Sequence, residues 1–282
     1  MEQLAADAES CVTRVNSKRK RRFKFMNRHF TAIYSGLLAI PFLAFAAEPA
    51  AELAARLSAK QEGSTFVRVR METSGGDKQT LQLQIKSRVS RGTADIVYQV
   101  LFPKERKGEA VLLQRSRGRV TGTLFVPPNT VRPITSAKFT EPLLGSDLSY
   151  EDVIDNPFVW DQQAIVGTEV IDGTACQILE SKPGKGRKSY YSSVHTWVDP
   201  RRYVPLRIEK YDASGRLVRQ INTTRVLLDG DESIPANLSV RGPRGTVTEI
   251  DGSRLKRGVT YQDIEFTVEG LKQLSAPPGS SQ

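Results

Sequence analysis

Apolar residues in this chain recur at every second position in short runs, and that period restricts the fold more than any other feature. Val67, Val69 and Met71 alternate with Arg68 and Arg70, and Leu81, Leu83 and Ile85 alternate with Gln82, Gln84 and Lys86. The pattern returns at Ile96, Tyr98, Val100 and Phe102, at Leu206 and Ile208 opposite Arg207 and Glu209, and at Ile264, Phe266 and Val268 opposite Glu265 and Thr267. Successive side chains of a strand point to opposite faces, so each run predicts a strand with one buried and one wet face. Turn signals separate them: Ser74-Gly75-Gly76-Asp77, Asp172-Gly173, Asp212-Ala213-Ser214-Gly215, Asp229-Gly230 and Asp251-Gly252. Short hairpins between alternating runs predict an antiparallel meander of about ten strands. Parallel strands need long crossover connections, and no long helical pattern supplies them.

Two helical segments are expected. Ala50 to Leu57 places Leu53 and Leu57 on one face among strong helix formers. In Ser146-Asp147-Leu148-Ser149-Tyr150-Glu151-Asp152, a hydroxyl followed three residues later by an acid is a helix-start signature, predicting a short helix over 149–155. Glu151, Asp152 and Asp155 could be read as a catalytic or metal-binding group. Acids in a first helical turn are favoured by the helix dipole whatever the function, and that reading is preferred.

Residues 26–47 run from Met-Asn-Arg-His-Phe into an apolar stretch ending Ala44-Phe45-Ala46-Ala47. A basic start, a short apolar core and small residues at the end form the pattern of a secretory signal peptide, too short to span a bilayer. The organisation expected is therefore a signal peptide over 1–47, with 1–25 a possible upstream extension, one domain over 48–274 and a disordered tail over 275–282. Export predicts a periplasmic location, with no lipid on the mature chain because no Cys ends the apolar run. Residues 1–47 hold eight of the 41 basic and three of the 31 acidic residues, leaving 33 against 28 and a net charge of +5. This mild, scattered excess gives no basic face for nucleic acid.

Only Cys176 remains after cleavage, so no intramolecular disulfide can form and the domain must rely on its own core. His195 is the only histidine beyond residue 47, and no Ser/His/Asp, Cys/His or metal-ligand spacing is present, so neither an enzyme nor a cofactor is expected. Gly184-Lys185-Gly186-Arg187-Lys188 lacks the spacing of a phosphate loop and reads as a basic hairpin tip. Trp160 and Trp197 read as core or rim aromatics.

Gly145-Ser146-Asp147-Leu148-Ser149-Tyr150-Glu151-Asp152, then Gly173 to Pro183, then Trp197-Val198-Asp199 and Tyr203 to Asp212 resemble, in order, the outer-membrane lipoprotein-sorting proteins related to the periplasmic carrier LolA. The resemblance covers most of residues 50–270. It implies a mainly β (α+β) fold in which a curved antiparallel sheet forms an incomplete β-barrel around short helices. It also implies a cavity for acyl chains of a lipoprotein or lipid in transit towards the outer membrane. A monomer that meets an inner-membrane transporter and an outer-membrane acceptor would follow; the alternative is an envelope sensor that binds a protein partner. The residues alone leave open whether helices fill the concave face completely, and the resemblance favours a cavity. Its expected wall is Leu81, Leu83, Ile85, Ile96, Tyr98, Val100, Leu206, Ile208 and Phe266, with Gln82, Gln84, Lys86 and Arg207 facing water.

Overall fold

The computed structural model describes residues 49–76 and 78–275. The expected signal peptide, the tail beyond Ser275 and Asp77 lie outside the described residues. Helix α1 (Ala50–Ala59) comes first, and its buried face is Leu53, Ala54 and Leu57. Next follow β1 (Gly63–Ser74), β2 (Gln79–Ser90), β3 (Thr93–Phe102), β4 (Ala110–Ser116), β5 (Arg119–Val126) and β6 (Thr130–Ile134). After a crossing segment that contains helix α2 (Tyr150–Ile154) come β7 (Gln162–Ile171), β8 (Thr174–Lys182), β9 (Ser193–Asp199) and β10 (Val204–Tyr211). The last strands are β11 (Leu217–Asp229), β12 (Glu232–Arg241) and β13 (Val247–Arg257), before helix α3 (Val268–Ser275).

These strands form one curved, unclosed antiparallel sheet in the order β6-β5-β4-β3-β2-β1-β13-β12-β11-β10-β9-β8-β7. Open sheets of more than about ten strands normally curl, and thirteen strands here do so. The order has a consequence for the core. The chain starts in the middle, walks outward to β6, and resumes at the opposite edge with β7, so residues 135–161 must cross the sheet. They cross its concave face, where Phe139, Leu143, Leu144, Tyr150 and Ile154 pack on Met71, Leu81, Leu83, Ile96, Val100 and Leu113. Fully burying a side chain of this size contributes about 1.5–3 kcal/mol. Beside this plug, α1 sets Leu53 and Leu57 on Phe158, Leu179 and Val198.

Among the described residues, the C-terminal segment covers the convex face at one end. There Phe266 and Leu271 pack on Val97, Ala110, Leu112 and Phe125. Strand β4 is thus buried on both faces over Ala110-Val111-Leu112-Leu113, which accounts for that unbroken apolar run.

Several expectations change. Ile264, Phe266 and Val268 belong to no strand, because Asp263–Phe266 form a 3-10 turn leading into α3. The Gln262 and Glu265 side chains cap that turn reciprocally, a local preference that overrides a short alternating run. Asp251-Gly252 is not a turn but lies inside β13, at a bulge opposite Arg68 and Val69. A Cβ on Gly252 would stand 2.7 Å from the Ala236 carbonyl oxygen, so the glycine serves close strand approach. Lys86 is buried, not wet, and donates to Glu265 Oε2 at 2.7 Å beneath the C-terminal segment. Gln82 is exposed as expected, and Leu81 and Leu83 are buried.

Candidate functional site

Between the concave face and the two covering helices lies a cavity of about 600 Å³, within the usual size range of ligand sites. Val67, Val69 and Met71 of β1, Leu83 and Ile85 of β2 and Tyr98 of β3 form one wall. The lining continues along the same concave face through Ile250 of β13, which pairs with Met71, to Leu238 of β12, Ile221 of β11 and Pro205 and Ile208 of β10. Leu57, Leu143, Leu148, Val153 and Phe158 close it from the helical side. Asp152 of the plug borders the cavity, and at the end away from it Lys60 Nζ donates to the carbonyls of Arg202 and Ser233, each at 3.1 Å. Arg257 there pairs with Asp229 at 2.7 Å. Burial pushes the Tyr98 phenol pKa up, which keeps it neutral.

Four of the nine expected wall residues line this cavity: Leu83, Ile85, Tyr98 and Ile208. Leu81, Ile96 and Val100 share the same core face but are covered by the plug. Leu206 packs with Cys176, Trp197 and Val204 instead. The register shift between Pro205 and Arg207 makes Leu206 the extra residue of a bulge, so alternation breaks between it and Ile208. Phe266 lies on the convex face under α3, outside the cavity. Arg207 stacks its guanidinium over Trp197, 5.3 Å from the ring centre. The sequence reading omitted Ile221, Leu238 and Ile250. Ile234, Ala236, Leu238 and Val240 alternate in β12 and could have revealed that strand's wall.

A buried polar network holds the plug that roofs the cavity. Ser149 caps α2: its hydroxyl accepts from the Asp152 N–H at 3.2 Å, while the Ser149 N–H donates back to Asp152 Oδ2 at 2.6 Å. Asp152 Oδ1 also accepts from Lys210 Nζ at 2.7 Å and from Tyr191 Oη at 2.7 Å, and Arg219 donates to Oδ2. Burial disfavours the carboxylate, but the Lys210 and Arg219 charges and the hydrogen bonds outweigh it and hold its pKa down at about 2. Asp147 anchors the other end of the plug. Thr248 Oγ1 donates to its Oδ2 at 2.8 Å, and the Asp147 N–H donates to that hydroxyl at 2.9 Å. Just ahead of Asp147, Gly145 has φ +91°, and Gln79 Nε2 donates to the neighbouring Leu144 carbonyl at 3.0 Å. The motif Gly145 to Asp152 therefore positions the roof; its acids are spent on structure.

Across α2 lies a larger groove, of about 1860 Å³, whose walls include Arg91, Arg115, Asp155, Arg187 and Lys188. These charges make it a poor home for hydrocarbon. Cys176 is buried, which raises its thiol pKa, and Trp160 and Trp197 are buried with their indole N–H groups bonded to Asp155 and Glu169. Among the described residues no three His, Cys, Asp or Glu side chains form a group that could hold a metal, and no helix is long and apolar enough to cross a membrane.

A family model described as "Uncharacterized protein" matches residues 92–273. No curated protein matches the chain. A DUF1329 family protein from Desulfovibrio piger is 25% identical, with a TM-score of 0.74 over 80% of this chain and 100% of the other. A domain from Vibrio parahaemolyticus named for outer-membrane lipoprotein sorting is 22% identical, with a TM-score of 0.72 over 79% and 98%. A LolA superfamily protein from Nitrosomonas europaea is 22% identical, with a TM-score of 0.65 over 79% and 100%. The chain thus belongs to the family matched over residues 92–273, and its fold is LolA-like, that of the outer-membrane lipoprotein-sorting proteins.

Proposed function

We propose that this protein is a non-enzymatic periplasmic carrier that shelters acyl chains of a lipoprotein or lipid during transit towards the outer membrane. The supporting observation is the apolar cavity on the concave face, lined by Val69, Leu83 and Tyr98 and, farther along the sheet, by Ile250, Leu238 and Ile208. A well-packed domain leaves few voids larger than a water molecule, so a space of about 600 Å³ lined by hydrocarbon invites an apolar occupant. Each acyl methylene moved from water into it contributes about 0.8 kcal/mol, enough over a chain to exceed the cost of immobilisation. The Lys60 and Arg257 end of the cavity suits a polar head group left near water.

Native mass spectrometry of the exported protein tests this reading. A bound amphiphile should travel with it, and affinity for added fatty acids should rise with chain length until the cavity is full. Equal affinity for short and long chains would overturn the carrier and favour a protein-binding envelope sensor. Export itself is checked by N-terminal sequencing, with Ala47 or Glu48 expected first and retention of residues 1–25 counting against the periplasm.

A further inference from the structure

The unclosed sheet has two edges, β6 and β7, and they are built differently. Strand β6 is five residues long, with exposed Arg132 and with Pro133, which has no N–H to offer; both are common protections of an edge. Strand β7 is ten residues long and contains no Pro, Lys or Arg. Val166 and Val170 are 51% and 65% exposed on it. Gln163 Nε2 donates to the carbonyls of Pro157 and Trp160 at 2.9 and 3.0 Å, which ties the start of the strand to the preceding segment. A bulge at Val166 follows, and among the described residues the strand from Gly167 to Ile171 is paired with β8 on one side only. A strand in that position presents backbone N–H and C=O groups to whatever lies alongside.

Charge narrows what that can be. From Asp161 to Ser181 the sequence has four acids, Asp161, Glu169, Asp172 and Glu180, and no Lys or Arg, within a chain that carries 41 basic residues. Glu180 is engaged by Lys182 and His195, at 2.8 and 3.1 Å. Glu169 accepts from the Trp197 indole N–H at 2.7 Å and pairs with Arg207 at 3.4 Å, which leaves Asp161 and Asp172 exposed at the two ends of the edge. Two copies paired through β7 would bring acidic strands together with no cation on either, and opposed like charges destabilise a strand pair.

We propose that the β7 edge docks an extended, basic segment of a partner protein, which adds to the sheet as a further strand. Main-chain hydrogen bonds to Gly167–Ile171 would supply affinity, and Lys or Arg side chains reaching the exposed Asp161 and Asp172 would set specificity. This surface is separate from the cavity, so it stands or falls independently of the carrier reading.

The test titrates the exported protein with a synthetic Lys-Val-Lys-Val-Lys-Val-Lys peptide and its Glu-Val counterpart. The basic peptide should bind about tenfold tighter than the acidic one, lose affinity with added salt, and slow amide exchange within Gln162–Ile171. Val170→Lys places on the edge the charge that protected edges carry, and should abolish binding while fatty-acid binding in the cavity persists. Val166→Lys provides a second variant should the first fold poorly. Equal binding of the two peptides, no binding, or protection confined to other strands would overturn the proposal. A concentration-dependent dimer removed by Val170→Lys would overturn it too, in favour of self-pairing.

Discussion

Asp152 and Lys210 are 58 residues apart in the chain and meet through a 2.7 Å ion pair sealed from solvent, which fastens the roof of the cavity to the sheet. Asp152 lies in the first turn of α2 and Lys210 near the end of β10, so the contact depends on the plug lying across the concave face.

Asp152→Asn removes the only carboxylate that answers both Lys210 and Arg219. Breaking one side of a buried pair costs about 3–5 kcal/mol, since the partner charges stay buried. Chemical denaturation should register that loss, and a variant as stable as the parent would show the network to be slack.

The same group sets an acid limit. Its folded pKa of about 2 lies below its ordinary value, so folding favours the ionised form and the stabilisation is complete above roughly pH 4. It should fade as the pH falls towards 2. Thermal melts between pH 2 and 5 should show a steeper decline for the parent than for Asp152→Asn.

Gly252→Ala should destabilise by about 1–3 kcal/mol, the usual penalty for overpacking, because the new Cβ would meet the Ala236 carbonyl oxygen at 2.7 Å and force β12 from β13. A melting temperature equal to the parent's would show that the strands yield.

Leu238→Trp adds bulk to the cavity wall and should weaken long fatty acids more than short ones, read as a flattened chain-length dependence by calorimetry. Val100, by contrast, is fully buried beneath the plug, and Val100→Trp should disturb folding before binding.

Phe266→Ala should cost about 3–5 kcal/mol although it is remote from the cavity, because it empties the contact between the C-terminal segment and Val97, Leu112 and Phe125. Unchanged fatty-acid affinity in the folded fraction would confirm the separation of the two faces.

What the sequence determined by itself is what arises from neighbours along the chain. Alternation set the strand faces at Leu81, Gln82 and Leu83, and Ser149 with Asp152 set the start of α2, since periodicity and capping are local. The resemblance at Gly145 to Asp152 indicated the fold. Tertiary structure decided the rest. That β6 and β7 sit at opposite edges follows from which strands pair, and this placement sends the plug across the concave face and leaves β7 open. The bulge at Leu206 reversed a face that strict alternation predicts, and the cap at Gln262 turned the run at Phe266 into a 3-10 turn on the other side of the sheet. Nothing local to Lys210 or Arg219 announces the carboxylate that a distant segment places against them. A buried charge is stabilised by its partner, and the sequence does not say which residues will meet.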